Sequence, residues 1–310
     1  MYNEDIKFMF IHDHTNSKAM IASLKSIFNK TASFEIRADK DICSFKKDEL
    51  EEIINEILGT RSSSRKARYG ILKRYCKWCV EQNIQGACDG MCQIEYDKAN
   101  AVIIGNNTVS SPKELNDYLD TIFDPITDCT IHNMYRCMLW LAFMGVAEKD
   151  ITSITDTDVD LFNKTLIYNG VKIPLYEEAI PAFSVFIGCK QFRHRHPNYT
   201  VVSWRDKCDG DSFIRGIKPL DTIGLISTYT RCIRENKSVE LVKKLSYNDV
   251  RLSGLCYKQY TLEIAGVEPF PQNAVLYEPQ FRLDKKSGTT KNRITCFLND
   301  YSSWKEYYNL

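Results

Sequence analysis

The chain has 310 residues, 44% of them hydrophobic and 26% charged, so it is long enough for two globular domains and too apolar to be disordered. Its 41 Lys and Arg residues balance 40 Asp and Glu residues, which excludes a globally basic, histone-like binder but allows a local basic surface. No apolar run approaches the roughly 20 residues of a membrane span. The polar start of the chain also lacks a signal peptide, so we expect a cytoplasmic protein with no membrane partner.

The first hundred residues are predicted to form a helical domain. Apolar residues recur at near-helical spacing over 15–30, 47–58 and 64–83. Gly59 provides a stop after the second helix, and the serine run 62–64 offers an N-cap for the third. The stretch 86–110 is irregular and contains Gly and Asn. We therefore predict an N-terminal domain over 1–100, a linker over 101–110 and a second domain over 111–310.

The second domain opens on strong local signals. Ser111 and Pro112 start a helix, with Glu114 placed to complete a capping box. Asn169-Gly170 lies between two short apolar runs, which predicts a β-hairpin. The remaining pattern predicts a mostly apolar helix ending at Gly145, a loop-rich stretch, a short C-terminal helix and further helices over 176–188, 221–236 and 246–265. The predicted fold class is mainly α with a small β-hairpin or sheet.

This order of elements resembles the tyrosine recombinase (phage integrase) family over nearly the whole chain. The basic, aromatic segment 73–79 is similar to part of that family's core-binding domain. The segment 111–175, with its Asp-Val-Asp, hairpin and Ile-Pro-Leu sequence, is similar to the start of the catalytic domain. The resemblance implies a two-domain architecture: a helical core-binding domain and a mixed α/β catalytic-like domain.

The resemblance also implies where catalytic residues should lie, and several are missing. Family members cleave DNA with a tyrosine, while arginines, a lysine and a His or Trp stabilise the phosphate transition state. Here Ala147 stands where the first arginine is expected, and Asn248 replaces the histidine of the box that ends at Arg251. No histidine follows residue 196, so the second family histidine has no counterpart. The vestigial candidates that remain are Arg251, Lys172 and Tyr301.

Basic segments are the candidate DNA contacts. The run 61–77 carries seven cations and no acid, which suits neutralisation of DNA phosphates. The alternative interpretation is a solvated helix face with no binding function. Two further basic patches lie at 190–196 and around Gly288. The complete set of predicted contacts is Arg61, Arg65, Lys66, Arg68, Lys73, Arg74, Lys77, Arg193, Arg195, Arg251, Lys285, Lys286, Lys291 and Arg293.

The twelve cysteines are scattered through a large chain, which is typical of buried thiols in a reducing compartment and not of a disulfide scaffold. One spacing approaches a four-thiolate zinc site, namely Cys76, Cys79, Cys88 and Cys92. Because Cys79 lies on the apolar face of its helix, core cysteines are the default interpretation, and we expect no metal and no cofactor.

These observations favour a DNA-binding protein that has lost strand cleavage, such as a recombinase-like phage repressor. We expect it to regulate transcription for a phage or mobile element, to bind double-stranded DNA and to associate with the nucleoid. An active, divergent recombinase is the main alternative, and an interaction module that merely keeps the fold is a third. The sequence leaves open a homo-oligomer and a regulatory protein or peptide partner.

Overall fold

The computed structural model describes residues 1–59, 62–123, 130–195, 202–219, 221–235, 243–267 and 289–310. The chain divides into two compact units, one comprising Met1–Asn106 with Cys296–Leu310 and the other Asn107–Thr295. The predicted fold class is confirmed, since helices dominate and the strands form small antiparallel sheets. None of the described helices is long and apolar enough to cross a membrane.

The first unit is helical. Its described helices are α1 (Glu4–His14), α2 (Lys18–Ala38), α3 (Lys47–Leu58), α4 (Ser62–Glu81), α5 (Gly90–Gln93) and α6 (Tyr96–Asn106), together with the C-terminal part of the last helix, which begins in the second unit. Their apolar faces meet around Tyr75, whose ring centroid lies 4.8 Å from that of Phe28 and 5.1 Å from that of Phe10. Gly59 ends α3 at a φ of 68°, as its position in the sequence predicts.

The second unit combines helices and two small sheets. Its described elements are α7 (Pro112–Ile122), α8 (Ile131–Phe143), β1 (Val159–Asp160), β2 (Thr165–Tyr168), β3 (Val171–Pro174), α9 (Ile180–Gly188), β4 (Gln191–Arg195), β5 (Val202–Asp206), α10 (Thr222–Glu235) and α11 (Tyr247–Ile264). The last helix, α12 (Thr289–Tyr308), contributes its C-terminal part to the first unit. Strands β1, β2 and β3 form one antiparallel sheet, and β4 pairs with β5 in another.

Local signals at the start of the second unit are realised in the structure. The Ser111 hydroxyl accepts a hydrogen bond from the Glu114 N–H at 3.2 Å, as an N-cap should. The Glu114 carboxylate, however, accepts from the Ser110 N–H at 2.6 Å and does not complete the predicted box with Ser111. Asn169 and Gly170 close the β2–β3 hairpin with φ values of 51° and 76°, which is the left-handed geometry of the predicted turn.

The structure differs from the sequence-based boundaries in three places. The stretch 86–110 is not irregular throughout, because α5 and α6 occupy Gly90–Gln93 and Tyr96–Asn106, and the units meet at Asn106–Asn107, within the predicted linker. The last fifteen residues pack with the first unit and not with the second. Gly105 permits this packing, since a Cβ there would lie 2.0 Å from the Tyr307 ring. Finally, the predicted loop 190–220 contains β4 and β5.

Candidate functional site

The second unit brings together the end of α8 and the start of α11, where the resemblance places the catalytic arginines. Gly254 allows the close approach, because a Cβ there would lie 1.7 Å from the Phe143 carbonyl oxygen. Arg251 donates from Nε to the Gly145 carbonyl at 3.0 Å, so its side chain reaches the turn that carries Ala147. We call this cluster, comprising Gly145–Ala147, Glu148, Asp150, Tyr168, Tyr247, Asn248 and Arg251, the α8–α11 centre.

Hydrogen bonds within the α8–α11 centre hold the turn after α8. The Tyr168 hydroxyl donates to Asp150 Oδ2 at 2.8 Å and accepts from the Ala147 N–H at 3.1 Å. The Tyr247 hydroxyl donates to the Val146 carbonyl at 3.0 Å. Sequence reasoning missed both tyrosines, since Tyr168 was taken as part of an apolar strand and Tyr247 only fell within the predicted helix 246–265. The centre therefore has its turn braced by hydroxyl groups where the family resemblance leads one to expect cations.

Two acidic side chains of the α8–α11 centre accept hydrogen bonds from neighbouring residues. Asn248 donates from its amide to Glu148 Oε2 at 2.6 Å, so the residue in the histidine position is engaged with an acid. Asp150 lies on the other side, at Tyr168. Burial lowers the pKa of Arg251, and burial raises the pKa of Tyr168, which stays protonated and donates to Asp150. The negative charge of Asp150 partly opposes the lowering of the Arg251 pKa, and Ala147 supplies no cation.

The other two vestigial candidates do not join the α8–α11 centre in any described contact. Lys172 is exposed on β3, opposite Ile167, and its charge helps to lower the pKa of Asp160, which hydrogen bonds from Asn163 lower more strongly. Tyr301 belongs to the first unit, is only 6% exposed, and stacks on Trp304 with 6.1 Å between ring centroids. The ring of Tyr301 thus forms part of a core, and its role as a vestigial nucleophile stays a prediction.

Helix α4 presents a basic stripe to solvent. Lys66, Arg74 and Lys77 are exposed and Lys73 is half-buried. At about 100° per residue, Lys66, Lys73 and Lys77 lie within about 40° of one another around the helix axis, and Arg74 borders them. Gly70 lies in the same stripe, and a Cβ there would meet nothing within 4 Å. We call Lys66, Lys73, Arg74 and Lys77 the α4 basic face.

Two cations of the basic run 61–77 form hydrogen bonds within the first unit. Arg65 is fully buried, donating from Nε to Asn100 at 2.7 Å and from Nη2 to Asp300 at 2.6 Å. The prediction of Arg65 as a DNA contact is therefore wrong, because its guanidinium links α4 to α6 and α12. Arg68 is half-buried and donates to the Leu58 carbonyl at the end of α3. Its guanidinium is therefore less accessible to a DNA phosphate than the exposed cations of α4 are.

The second predicted basic patch lies on the β4–β5 ribbon. Arg193 and Arg205 are exposed, whereas the Lys207 amine donates to the Phe186 carbonyl at 3.0 Å and lies 3.9 Å from that residue's ring centroid. The side chain of Arg195 lies outside the described residues, as do the predicted contacts Arg61, Lys285, Lys286, Lys291 and Arg293.

Three of the four cysteines of the near-zinc spacing lie in separate surroundings. Cys76 is buried, and burial raises the pKa of its thiol. Cys79 is also buried and shares a hydrogen bond with Cys43, while Cys88 donates to the Phe45 carbonyl at 3.2 Å. Across the described residues, no group of three or more His, Cys, Asp or Glu side chains is arranged to hold a metal ion.

Comparison with known proteins bears on the N-terminal part of the chain. Residues 1–81 match the family model of the MrpR N-terminal core-binding domain. This match confirms the predicted core-binding resemblance for the segment that contains α1 to α4. No curated protein sequence matches the chain.

Solved structures give a weaker likeness over a longer span. The Tn1549 transposon integrase in complex with circular intermediate DNA is 17% identical, with 96% of this chain and 94% of that chain covered and a TM-score of 0.38. The same integrase in complex with transposon right end DNA is 16% identical, with 96% and 93% covered and a TM-score of 0.39.

Proposed function

We propose that this chain, whose N-terminal segment matches a core-binding domain, binds duplex DNA on a recombinase-type fold without cleaving it. We further propose that it acts as a transcriptional regulator, in the manner of a repressor, for a phage or mobile element. The observation that carries the proposal is a contrast between two regions. The α4 basic face presents cations to solvent, whereas in the α8–α11 centre Ala147 supplies no cation and Asn248, in the histidine position, is hydrogen-bonded to Glu148.

Phosphate neutralisation supports the binding half of the proposal. Each lysine or arginine that neutralises a phosphate releases counterions, and this release supplies most of the affinity of nonspecific DNA binding. The α4 basic face places its cations along one stripe of a long helix, with Gly70 leaving the helix backbone accessible among them. Helix α4 lies within the segment that matches a core-binding domain.

The composition of the α8–α11 centre supports the non-cleaving half. Removing one donor that stabilises a developing oxyanion costs about 10²–10³ in rate. Here Ala147 offers no cation, Asn248 is hydrogen-bonded to Glu148, and Tyr168 is hydrogen-bonded to Asp150. With Ala147 and Asn248 in place of two groups that would stabilise the transition state, a bound duplex gains little at this centre that favours strand transfer.

A protein that binds DNA without cutting it can act by blocking the site that it covers. A bound repressor excludes other proteins from its site, which is the mechanism we propose here. A regulatory protein or peptide, or a second copy of the chain, would then act by changing DNA affinity. Localisation to the nucleoid follows from the same proposal.

Two measurements on the same protein test the proposal. A mixed-sequence duplex with a fluorescent label is expected to bind with an affinity that falls steeply as salt rises. A nicked suicide substrate, on which strand cleavage traps the enzyme, is expected to give no covalent adduct on a denaturing gel. A stable adduct would overturn the non-cleaving proposal in favour of an active recombinase, and Tyr301→Phe serves as a control that loses the adduct only if that buried tyrosine is the nucleophile. Failure of the duplex to bind at low salt would instead favour an interaction module.

A further inference from the structure

The β4–β5 ribbon carries an exposed tryptophan that the function proposed above does not use. Trp204 on β5 is 57% exposed, whereas Trp78, Trp140 and Trp304 are at most 7% exposed. Tryptophan is enriched where a protein contacts a partner, because its large ring gains contact area at little cost in conformational entropy. The environment of Trp204 indicates which partner the ring fits.

The register of the ribbon places Trp204 beside an arginine. Trp204 pairs directly with Arg193, and directly paired residues of antiparallel strands project from the same face. The neighbouring pair, Phe192 and Arg205, projects from the opposite face, where Phe192 is fully buried and its ring lies 6.1 Å from that of Phe186. Phe192 thus packs on the core from one face, where Arg205 beside it stays exposed, and the other face presents an indole and a guanidinium to solvent.

The base of the ribbon is firmly attached to the second unit. The Lys207 N–H donates to the Lys190 carbonyl at 2.8 Å, and the Lys207 amine caps the Phe186 carbonyl at the end of α9. Gln191 donates from its amide to Asp206 at 2.8 Å, closing the first pair of the ribbon. The base of the ribbon is therefore held by contacts within the second unit.

A two-stranded antiparallel ribbon fits the major groove of B-DNA, which is about 12 Å wide. The two strands lie about 4.8 Å apart, and five paired residues span about 17 Å. An indole can pack against thymine methyl groups or sugars there, while an arginine reaches a phosphate or a base edge. On the basis of the proposed DNA binding, we infer that the β4–β5 ribbon enters the major groove of duplex DNA, with Trp204 and Arg193 as contact residues.

Fluorescence provides a selective test, because Trp204 is the exposed member of the chain's four tryptophans. The full chain is titrated with a labelled mixed-sequence duplex of about 24 base pairs, a little over two helical turns. Anisotropy of the label measures binding, and quenching by acrylamide, a neutral quencher, measures the accessibility of Trp204. We expect saturation with duplex to protect the exposed component of the emission and Trp204→Ala to weaken binding by about tenfold.

A matched control separates this contact from general effects of removing an aromatic ring. Phe162 is 94% exposed in the same unit, near Asp160, so Phe162→Ala removes an exposed ring outside the basic ribbon. This variant is expected to bind the duplex as the unchanged protein does, and Trp204→Phe is expected to retain part of the affinity that Trp204→Ala removes. Circular dichroism of each variant checks that the fold is kept.

The outcomes distinguish failure of this inference from failure of the proposed function. If the duplex binds but acrylamide still reaches Trp204 and Trp204→Ala binds normally, the ribbon is not in the interface, and DNA binding stands. If protection of Trp204 depends on protein concentration in the absence of DNA, the ribbon joins copies of the chain and the inference is overturned. If no duplex binds, both are overturned.

Discussion

Arg65 shows how the environment of a single residue decides its role. In the sequence it is one of seven cations in a 17-residue run, and nothing distinguishes it from Lys66. In the structure its guanidinium is buried against Asp300 and Asn100, and Asn100 in turn donates to Ser303 at 2.6 Å. Because Asp300 lies 235 residues away, no local pattern reveals the pairing.

Arg65→Met is expected to lower the free energy of unfolding of the first unit by about 3–5 kcal/mol, because Asp300 would be left buried without its partner. Urea unfolding measures this loss. Lys66→Met on the same helix is the matched control, and its effect should stay within about 0.5 kcal/mol. If Arg65→Met alone fails to fold, combining it with Asp300→Leu should restore a folded protein, since an apolar pair replaces the charged one. Equal stabilities of the two single variants would contradict the burial of Arg65.

Glu35 makes the stability of the first unit depend on pH. Its carboxylate lies 2.6 Å from the Lys7 amine and is fully buried, and burial raises its pKa above the ordinary 4.5 despite that lysine. A carboxyl with a raised pKa binds more protons in the folded state, so its contribution to stability decreases as pH rises from 4.5 through the folded pKa. Glu35→Gln is expected to flatten this part of the stability–pH profile in urea unfolding. A steeper profile in the variant would argue against the shift.

At the level of elements, α4 combines two roles on two faces. Its apolar face places Tyr75, Cys76 and Cys79 in the core, and its basic face points to solvent. Apolar periodicity and a run of cations were enough to predict this helix and its basic character. The positions of α3, α6 and α12 are needed to tell which cations can contact a partner, because these helices bind the side chains of Arg68 and Arg65.

The α4 basic face is expected to set the salt dependence of duplex binding. Removing one lysine that neutralises a phosphate should reduce the slope of log affinity against log salt by about 0.9. We therefore expect Lys66→Ala, Lys73→Ala and Lys77→Ala, singly and combined, to flatten the slope stepwise in anisotropy titrations. Lys98→Ala on α6 is the control, since Lys98 is an exposed lysine of the same unit that lies outside the α4 basic face. An unchanged slope in the triple variant would place the DNA elsewhere.

Gly70 provides a test of close approach to α4. Glycine within a helix costs about 1 kcal/mol relative to alanine, and an added Cβ meets open space here. Gly70→Ala is therefore expected to stabilise the first unit in urea unfolding and to weaken duplex binding, because the methyl group stands in the basic face. An alanine variant that binds DNA as tightly as the glycine protein would mean that the helix backbone does not approach the duplex closely.

At the level of the whole molecule, the C-terminal residues complete the N-terminal unit. Residues 296–310 belong to the first unit, where Trp304 is fully buried and Tyr301 is nearly so. The sequence predicted a C-terminal helix but assigned it to the second domain, because chain order was the only guide. Burial of aromatic residues on one face of α12 explains why this helix needs a partner surface.

Deleting residues 296–310 is expected to destabilise the first unit and to leave the second unit protected from hydrogen exchange. Hydrogen exchange measured by mass spectrometry should show faster exchange in peptides from α4 and α6, because Arg65 and Asn100 lose Asp300 and Ser303. Peptides from α8 serve as the internal control and should keep their protection. Equal loss of protection in α4 and α8 would indicate that the two units unfold together.

The sequence by itself determined the fold class and the elements with strong local signals. The cap at Ser111, the turn at Asn169-Gly170 and the stop at Gly59 depend on residues within a few positions of one another, so their physics can be read locally. The absence of an arginine at position 147 is likewise a fact of the sequence, and it already predicted lost catalysis. Only the tertiary structure decided that Arg65 is internal, that Tyr301 is a core residue, that Arg251 reaches the Gly145 carbonyl and that Trp204 is exposed. Each of these facts depends on which segments distant in the sequence pack together, because that packing decides which side chains are buried and which charges are paired.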